Sequence, residues 1–161
     1  MKENPALSPE ELVQAGYRYA LSLTHHPHDA EDLVQQAWMR LHHRYGGVET
    51  KALLFKTVRN LFTDKLRRSA IVVFEPMDDH DPAAEARPPA SADLDTLLAQ
   101  LRSPEREALY LSAVEGYTAA EIGELWGNPR GSVLSLIYRA KAKLRRWCER
   151  ESKPAKPRPL E

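Results

Sequence analysis

The stretch Asp29-Ala-Glu-Asp-Leu-Val-Gln-Gln36 has the residue spacing of an amphipathic α-helix. Apolar residues within it and just beyond it recur three or four positions apart and form one stripe: Ala30, Leu33, Val34, Ala37 and Leu41. The polar residues off this stripe are Asp29, Asp32, Gln35 and Gln36. The pattern predicts a helix that runs to about residue 43 and presents carboxylates and amides to a basic protein surface.

A second amphipathic pattern surrounds Lys56-Thr-Val-Arg-Asn-Leu-Phe-Thr-Asp-Lys-Leu-Arg-Arg68. Its apolar stripe consists of Phe55, Val58, Phe62 and Leu66, widened by Leu54 and Leu61. The opposite face carries Lys56, Asn60, Thr63 and Arg67. Cations and amides suit phosphates and base edges. We therefore predict a basic helix from about residue 51 to residue 69, and the acidic and basic helices together suggest an adaptor between a protein assembly and DNA.

A further helix is predicted ahead of these two. Ser8 can cap it, with Pro9 at the first helical position and acidic residues in the first turn. Its inward face would carry Leu12, Gly16, Tyr19 and Leu23. Residues 24–28, which are rich in histidine, predict a turn before the acidic helix.

The C-terminal part of the chain has the signals of a helix-turn-helix. We predict a helix over residues 94–101 and a second that Ser103 caps and Gly116 ends. Thr118-Ala-Ala-Glu121 predicts a capping box for a third helix, and Gly127 with Asn128 predicts the turn. The last helix would start near Pro129, with a core stripe of Val133, Ile137, Ala140 and Leu144. Two short helices joined by a tight glycine-containing turn are typical of DNA-binding proteins.

Charge is distributed unevenly although the whole chain is formally neutral. Residues 1–74 hold ten Lys/Arg against eight Asp/Glu, residues 75–95 one against seven, and residues 96–161 twelve against eight. The acidic segment also contains four prolines, at positions 76, 82, 88 and 89. Low hydrophobicity with high charge predicts a flexible linker there rather than a packed element. Residues 71–74 are apolar and predict a short extended tether that closes the first domain.

Several classes of function are disfavoured by composition. No apolar run reaches the roughly 18 residues of a membrane span, so we expect no membrane insertion. Cys148 is the only cysteine, which fits a reducing, cytoplasmic compartment. The spacing of His25, His26, His28 and Asp29 matches no standard metal site. Neither a glycine-rich phosphate loop nor a nucleophile motif is present, so we expect no enzyme, cofactor or metal.

The acidic and basic helices together resemble region two of an extracytoplasmic-function (ECF) sigma factor of bacterial RNA polymerase. Residues 103–111, 114–122, 127–133 and 138–144 resemble region four of the same family. The resemblance covers both predicted domains and misses only the linker and the two ends. It implies an all-α chain in which two small helical domains bind core RNA polymerase and promoter DNA, with a probable anti-sigma factor as a further partner.

The resemblance also implies which residues make these contacts. The candidates for the clamp helices of the large polymerase subunit are Asp29, Asp32, Gln35 and Gln36, and of these Asp32 is the sharpest because it lies beyond the first helical turn. The candidates for gripping and opening the downstream promoter element are Lys56, Arg59, Asn60, Arg67 and Arg68. Family members often have aromatic residues near Thr50 and Leu53, so Tyr45 is our candidate for the surface on which a base stacks.

The helix from Pro129 would enter the major groove at the upstream promoter element. Its candidates for base edges and phosphates are Arg130, Ser132, Ser135 and Arg139, which lie opposite the core stripe. This chain departs from the family with Leu134 and Leu136 at usually basic positions, Asn128 at a usually apolar one and Gly123 at a usual alanine. The two leucines would contact either thymine methyl groups or a partner protein.

We therefore predict an ECF sigma factor with four segments. Residues 1–74 would form the region-two-like domain, 75–92 the linker, 93–150 the region-four-like domain and 151–161 a disordered tail. Two alternatives remain open at this point: a sigma-like decoy that binds an anti-sigma factor without activating transcription, and a plain helix-turn-helix regulator that acts without polymerase. The acidic helix argues against the plain regulator.

Overall fold

Seven helices make up the described part of the chain, and no strand occurs there. The computed structural model describes residues 6–69 and 94–151. The helices are α1 (Pro9–Thr24), α2 (Pro27–Tyr45), α3 (Lys51–Ser69), α4 (Leu94–Ala99), α5 (Ser103–Ala113), α6 (Ala119–Trp126) and α7 (Arg130–Glu151). The all-α prediction is thus confirmed. The predicted linker, the tether over 71–74 and all of the predicted tail except Glu151 lie outside the described residues.

The first three helices form a bundle, here called the N-terminal unit. The capping box of α1 is present: Ser8 Oγ accepts from the N–H of Glu11 at 3.2 Å, and Glu11 Oε2 accepts from the N–H of Ser8 at 2.8 Å. The predicted inward residues of α1 are all buried. Gly16 lets α1 approach α3 closely, because a Cβ at this position would lie 2.9 Å from Leu54 Cδ2 and that side chain would have to shift. The sequence placed the bounds of α3 correctly.

Some predicted details of this unit were wrong. The helix α2 begins at Pro27 and not after the histidine-rich stretch, so the turn before it is shorter than predicted. Leu66 was assigned to the apolar stripe of α3, but its side chain is 49% exposed. The reason is that Leu66 borders an open cavity lined by α1, α2, α3 and α5, and within the described residues no helix packs over it.

The last four helices form the C-terminal unit. Thr118 caps α6 as predicted, since its Oγ accepts from the N–H of Glu121 at 3.2 Å. The cap of α5 was predicted one residue too late: Arg102 occupies the cap position, and its N–H donates to Glu105 Oε2 at 3.3 Å. The helix α4 is shorter than predicted, and Leu94 is 64% exposed because α4 makes only a small contact with α7.

Candidate protein and nucleic-acid interfaces

The outer face of α2 is a continuous polar strip. Asp32, Gln35 and Gln36 are all exposed, as the sequence predicted. Met39 extends the strip by one turn, and its side chain is 71% exposed. We missed Met39 in the sequence because we considered only polar residues on this face, although its position seven residues after Asp32 places it there. The strip therefore offers a carboxylate, two amides and one apolar side chain to a partner.

Asp29 has a different environment from the rest of this strip. Its Oδ1 accepts a hydrogen bond from Lys65 Nζ on α3 at 2.8 Å. That hydrogen bond holds the pKa of the Asp29 carboxyl below its usual value. Asp29 therefore ties the start of α2 to the end of α3, so this carboxylate is already paired within the N-terminal unit.

The exposed face of α3 carries most of the predicted DNA contacts. Lys56, Asn60, Arg67 and Arg68 are exposed and unobstructed by other helices. Tyr45, the candidate stacking residue at the end of α2, is 52% exposed, and the Arg44 guanidinium lies 5.3 Å from the centre of its ring. These side chains form a basic surface with one aromatic group beside it.

Arg59 does not belong to that exposed surface. Its Nε donates to Glu107 Oε1 on α5 at 3.0 Å, and its guanidinium carbon lies 4.8 Å from the centre of the Trp126 ring on α6. The side chain is only 25% exposed. The structure therefore separates Arg59 from the other four predicted contacts on α3.

Glu107 is the buried acceptor of this arrangement. The hydroxyl of Tyr19 on α1 donates to the same Oε1 atom that Arg59 contacts. Burial raises the pKa of the Glu107 carboxyl, and the Arg59 guanidinium opposes that rise. Sequence reasoning gave no sign of this cluster, because Tyr19 and Glu107 are 88 positions apart along the chain.

The recognition helix α7 presents its predicted polar residues to solvent. Arg130, Ser132, Ser135 and Arg139 are all exposed. The hydroxyl of Ser135 donates to the carbonyl oxygen of Gly131 at 3.0 Å, so it is oriented along the helix. We therefore find all four side chains on the accessible side of the helix-turn-helix.

The two leucines of α7 have different environments. Leu136 is half-buried and packs against the core, so it is not available to DNA or to a partner. Leu134 is 41% exposed, and Tyr138, one turn later on the same side, is 73% exposed. The accessible face of α7 therefore combines arginines with two apolar side chains, one of which we did not single out in the sequence.

The turn between α6 and α7 is tightly packed. The N–H of Asn128 donates to the carbonyl oxygen of Gly123 at 2.8 Å, and Gly127 has a φ of 72°. A Cβ at Gly123 would lie 2.6 Å from the carbonyl oxygen of Asn128. Glycine at a position where the family usually has alanine thus has a steric reason in this chain.

A buried ion pair connects α7 to α5. Lys143 Nζ donates to Glu105 Oε2 on α5 at 2.8 Å, and the two side chains are 6% and 1% exposed. Burial raises the pKa of Glu105 and lowers that of Lys143. The pair thus joins α7 to α5 through two buried side chains.

Two other kinds of feature are absent from the described residues. Residues 6–69 and 94–151 contain no group of three or more side chains arranged to hold a metal ion. Within the same ranges, no helix combines the length and the apolar character needed to cross a bilayer.

Comparison with known proteins identifies the class of protein that these surfaces define. The model of Sigma-70 region 2 matches residues 7–71, and the model of Sigma-70, region 4 matches residues 91–144. Together they include every helix except the last turns of α7. The chain is therefore built from two sigma-factor regions in their usual order.

Curated relatives narrow the class to one family. The ECF RNA polymerase sigma factor SigL of Mycobacterium tuberculosis is 31% identical over 141 residues, which are 80% of this chain and 80% of that protein. SigE of Mycolicibacterium smegmatis is 32% identical over 149 residues, 84% of this chain but 58% of that protein. The chain thus spans about three fifths of SigE. It belongs to the ECF sigma factor family.

A solved structure has a similar fold. The sigma factor RpoE of Bartonella quintana, determined in complex with the anti-sigma factor NepR, matches with a TM-score of 0.63 and 26% identity. The match covers 86% of this chain and 92% of that one.

Proposed function

We propose that this chain is a promoter-recognition subunit that binds core RNA polymerase through α2 and promoter DNA through α3 and α7. The observation that carries the proposal is the polar strip of Asp32, Gln35 and Gln36, exposed on the helix that belongs to the matched region 2. A regulator that acts without polymerase has no need of this strip. The role is that of a binding protein and not of an enzyme, and it places the protein in the cytoplasm with polymerase and DNA.

The role proposed for each helix follows from which of its side chains are accessible. The basic surface of α3 would grip the downstream promoter element and assist strand opening, because cations hold the backbone while an aromatic side chain such as Tyr45 stacks on a base. On α7, Arg130 would read a base edge in the first turn, and Arg139 would hold a phosphate more than two turns later. Leu134 would contact a thymine methyl group at the same element.

We also propose an anti-sigma factor as a partner. The relative RpoE was solved with such a protein, which supports the proposal at the level of the family. On this chain, Leu134 and Tyr138 provide exposed apolar area that suits a protein partner as well as DNA. The same observation supports the second candidate function, a decoy that binds an anti-sigma factor and never starts transcription.

Run-off transcription distinguishes the two functions. The full chain is first mixed with purified core polymerase, and promoter fragments are selected by pull-down and sequencing. On a selected fragment we expect the wild-type chain to support a run-off transcript and Asp32→Arg to lose it. The matched control is Glu10→Arg, the same charge reversal at an exposed position of α1. Absence of any transcript with the wild-type chain, together with tight binding to an anti-sigma factor, would establish the decoy.

A further inference from the structure

We propose that the contact between the two units is a latch that keeps the free chain closed and keeps Arg59 from DNA. The latch is defined by five residues: Tyr19, Lys51 and Arg59 of the N-terminal unit and Glu107 and Glu115 of the C-terminal unit. The proposal rests on the proposed function in one respect, namely that Arg59 contacts DNA when the chain is open. The closure itself does not depend on that function.

The latch consists of two ion pairs that cross between the units. Arg59 Nε lies 3.0 Å from Glu107 Oε1, and Lys51 Nζ lies 2.8 Å from Glu115 Oε2. The carboxylate side chains are only 6% and 7% exposed. In each pair the cation comes from α3, the helix with the basic surface, and the carboxylate comes from the C-terminal unit.

Aromatic contacts cover the two ion pairs. The ring of Tyr19 lies 6.2 Å from that of Tyr110, and the ring of Phe55 lies 6.2 Å from that of Tyr117, in both cases across the two units. Lys51 Nζ lies 5.6 Å from the centre of the Tyr117 ring. This cover excludes water from the carboxylates, so their attraction to the cations is stronger than at an open surface.

Glu107 imitates a phosphate at Arg59. An arginine guanidinium binds carboxylate and phosphate oxygens with the same hydrogen-bonding geometry. Glu107 Oε1 accepts the hydrogen bond of the Arg59 Nε–H, and the Trp126 ring packs against one face of the guanidinium. A nucleic-acid phosphate that takes the Arg59 Nε–H therefore has to displace Glu107, and one that approaches the covered face of the guanidinium has to displace Trp126.

The length of the chain between the two units would allow the latch to open. The 24 residues between α3 and α4 could span about 80 Å when fully extended, so the chain length permits wide separation of the units.

The test measures closure and DNA binding separately in the full chain. Spin labels on the exposed thiol of Cys148 and on His43→Cys report the distance between the units by electron-electron double resonance. DNA binding is measured with a labelled random-sequence single-stranded 20-mer at several salt concentrations. The variants are Glu107→Gln and the milder Glu115→Gln. The control is Glu124→Gln, the same change at an exposed carboxylate on α6 of the C-terminal unit.

We expect Glu107→Gln to lengthen and broaden the label distance and Glu124→Gln to leave it unchanged. Affinity for the 20-mer should rise at least tenfold in Glu107→Gln, because apparent affinity is reduced by the fraction of competent molecules. The plot of log affinity against log salt should steepen by about 0.7, the value for one added cation on a single strand. Adding Arg59→Gln should remove that steepening and leave the label distance long. Circular dichroism confirms that each variant is folded.

Two outcomes would overturn the proposal. An unchanged label distance in both Glu107→Gln and Glu115→Gln would show that these ion pairs do not hold the units together. A longer distance with unchanged affinity and salt slope would show that closure does not withhold Arg59 from DNA. Neither result depends on polymerase, so a wild-type chain that supports no transcription would refute the proposed function alone.

Discussion

Replacing Gly123 by alanine tests how tightly the helix-turn-helix is packed. A Cβ at this position would lie 2.6 Å from the carbonyl oxygen of Asn128 and 3.5 Å from the backbone nitrogen of Arg130. The first atom belongs to backbone that also closes the turn through the Asn128–Gly123 hydrogen bond. It therefore cannot rotate away as a flexible side chain would, and the turn itself has to shift by several tenths of an ångström.

The size of the destabilisation by Gly123→Ala can be isolated by comparison with Gly131, the second residue of α7. A Cβ at Gly131 would meet nothing within 4 Å. Both glycines lie in helices, Gly123 inside α6 and Gly131 in the first turn of α7, so alanine brings each variant a gain in helix propensity of up to about 1 kcal/mol. The difference between the variants then isolates the steric overlap, for which overpacking experiments indicate about 1–3 kcal/mol. We expect Gly131→Ala to be as stable as the wild type or more stable, and Gly123→Ala to be less stable than Gly131→Ala by that amount.

Thermal unfolding followed by circular dichroism measures this difference, at roughly 2–4 °C in Tm for each kcal/mol in a chain of this size. The same shift of the turn should tilt α7, so Gly123→Ala should also weaken binding to a selected upstream promoter duplex. Equal Tm values for the two variants would refute the steric argument and would mean that the turn relaxes without cost.

Three other predictions concern the partner surfaces and the support of α7. Asp32→Arg should weaken binding to core polymerase by a few kcal/mol without a change in Tm; equal affinities by titration would remove this carboxylate from the interface. Arg130→Ala should reduce the free energy of DNA binding by about 1–3 kcal/mol and relax the base preference at one promoter position. Arg139→Ala should weaken binding to all duplexes evenly and lower the slope of log affinity against log salt by about one. A binding selection with salt titration would detect a reversal of these roles. Lys143→Met should reduce the free energy of unfolding by roughly 3 kcal/mol at neutral pH, because Glu105 remains buried without its cation. Burial raises the pKa of Glu105, so the loss should shrink as the pH falls and this carboxyl becomes protonated; a loss independent of pH would contradict this reason.

The sequence predicts local structure correctly where the residues that determine it lie within four positions of one another. The capping boxes at Ser8 and Thr118 depend on a glutamate three positions later, and both formed as predicted. The bounds of α3 follow from an apolar stripe that starts and stops within the helix. The cap of α5 was misplaced by one residue because Arg102 and Ser103 both precede Pro104, and the sequence pattern alone does not fix which of them leaves the helical conformation.

The environment of the candidate site residues was readable only in part. Exposure of Asp32 and Lys56 follows from helical periodicity, because each lies opposite an apolar stripe. Arg130 has the spacing of the core stripe of α7 and is exposed at the first position of that helix. The partners of Arg59 do not follow from periodicity, since Glu107 is 48 positions away and belongs to the other unit. Periodicity within α3 does set Arg59 apart from Lys56 and Asn60, because Arg59 lies four residues after Phe55 and three before Phe62, in line with the apolar stripe. Contacts between units are therefore the part of this molecule that required coordinates.

The spacing of the two leucines of α7 predicts that they differ in burial. Leu136 lies three residues after Val133 and four before Ala140, both of which are fully buried, so helical geometry places it on the core side. Leu134 lies four residues before Tyr138, and both are exposed. The open choice between DNA and protein therefore concerns Leu134 and Tyr138 alone. The exposed arginines of α7 lie before and after these two side chains along the chain, so we expect a duplex bound by the arginines to bring a base edge close to Leu134 and to favour thymine there.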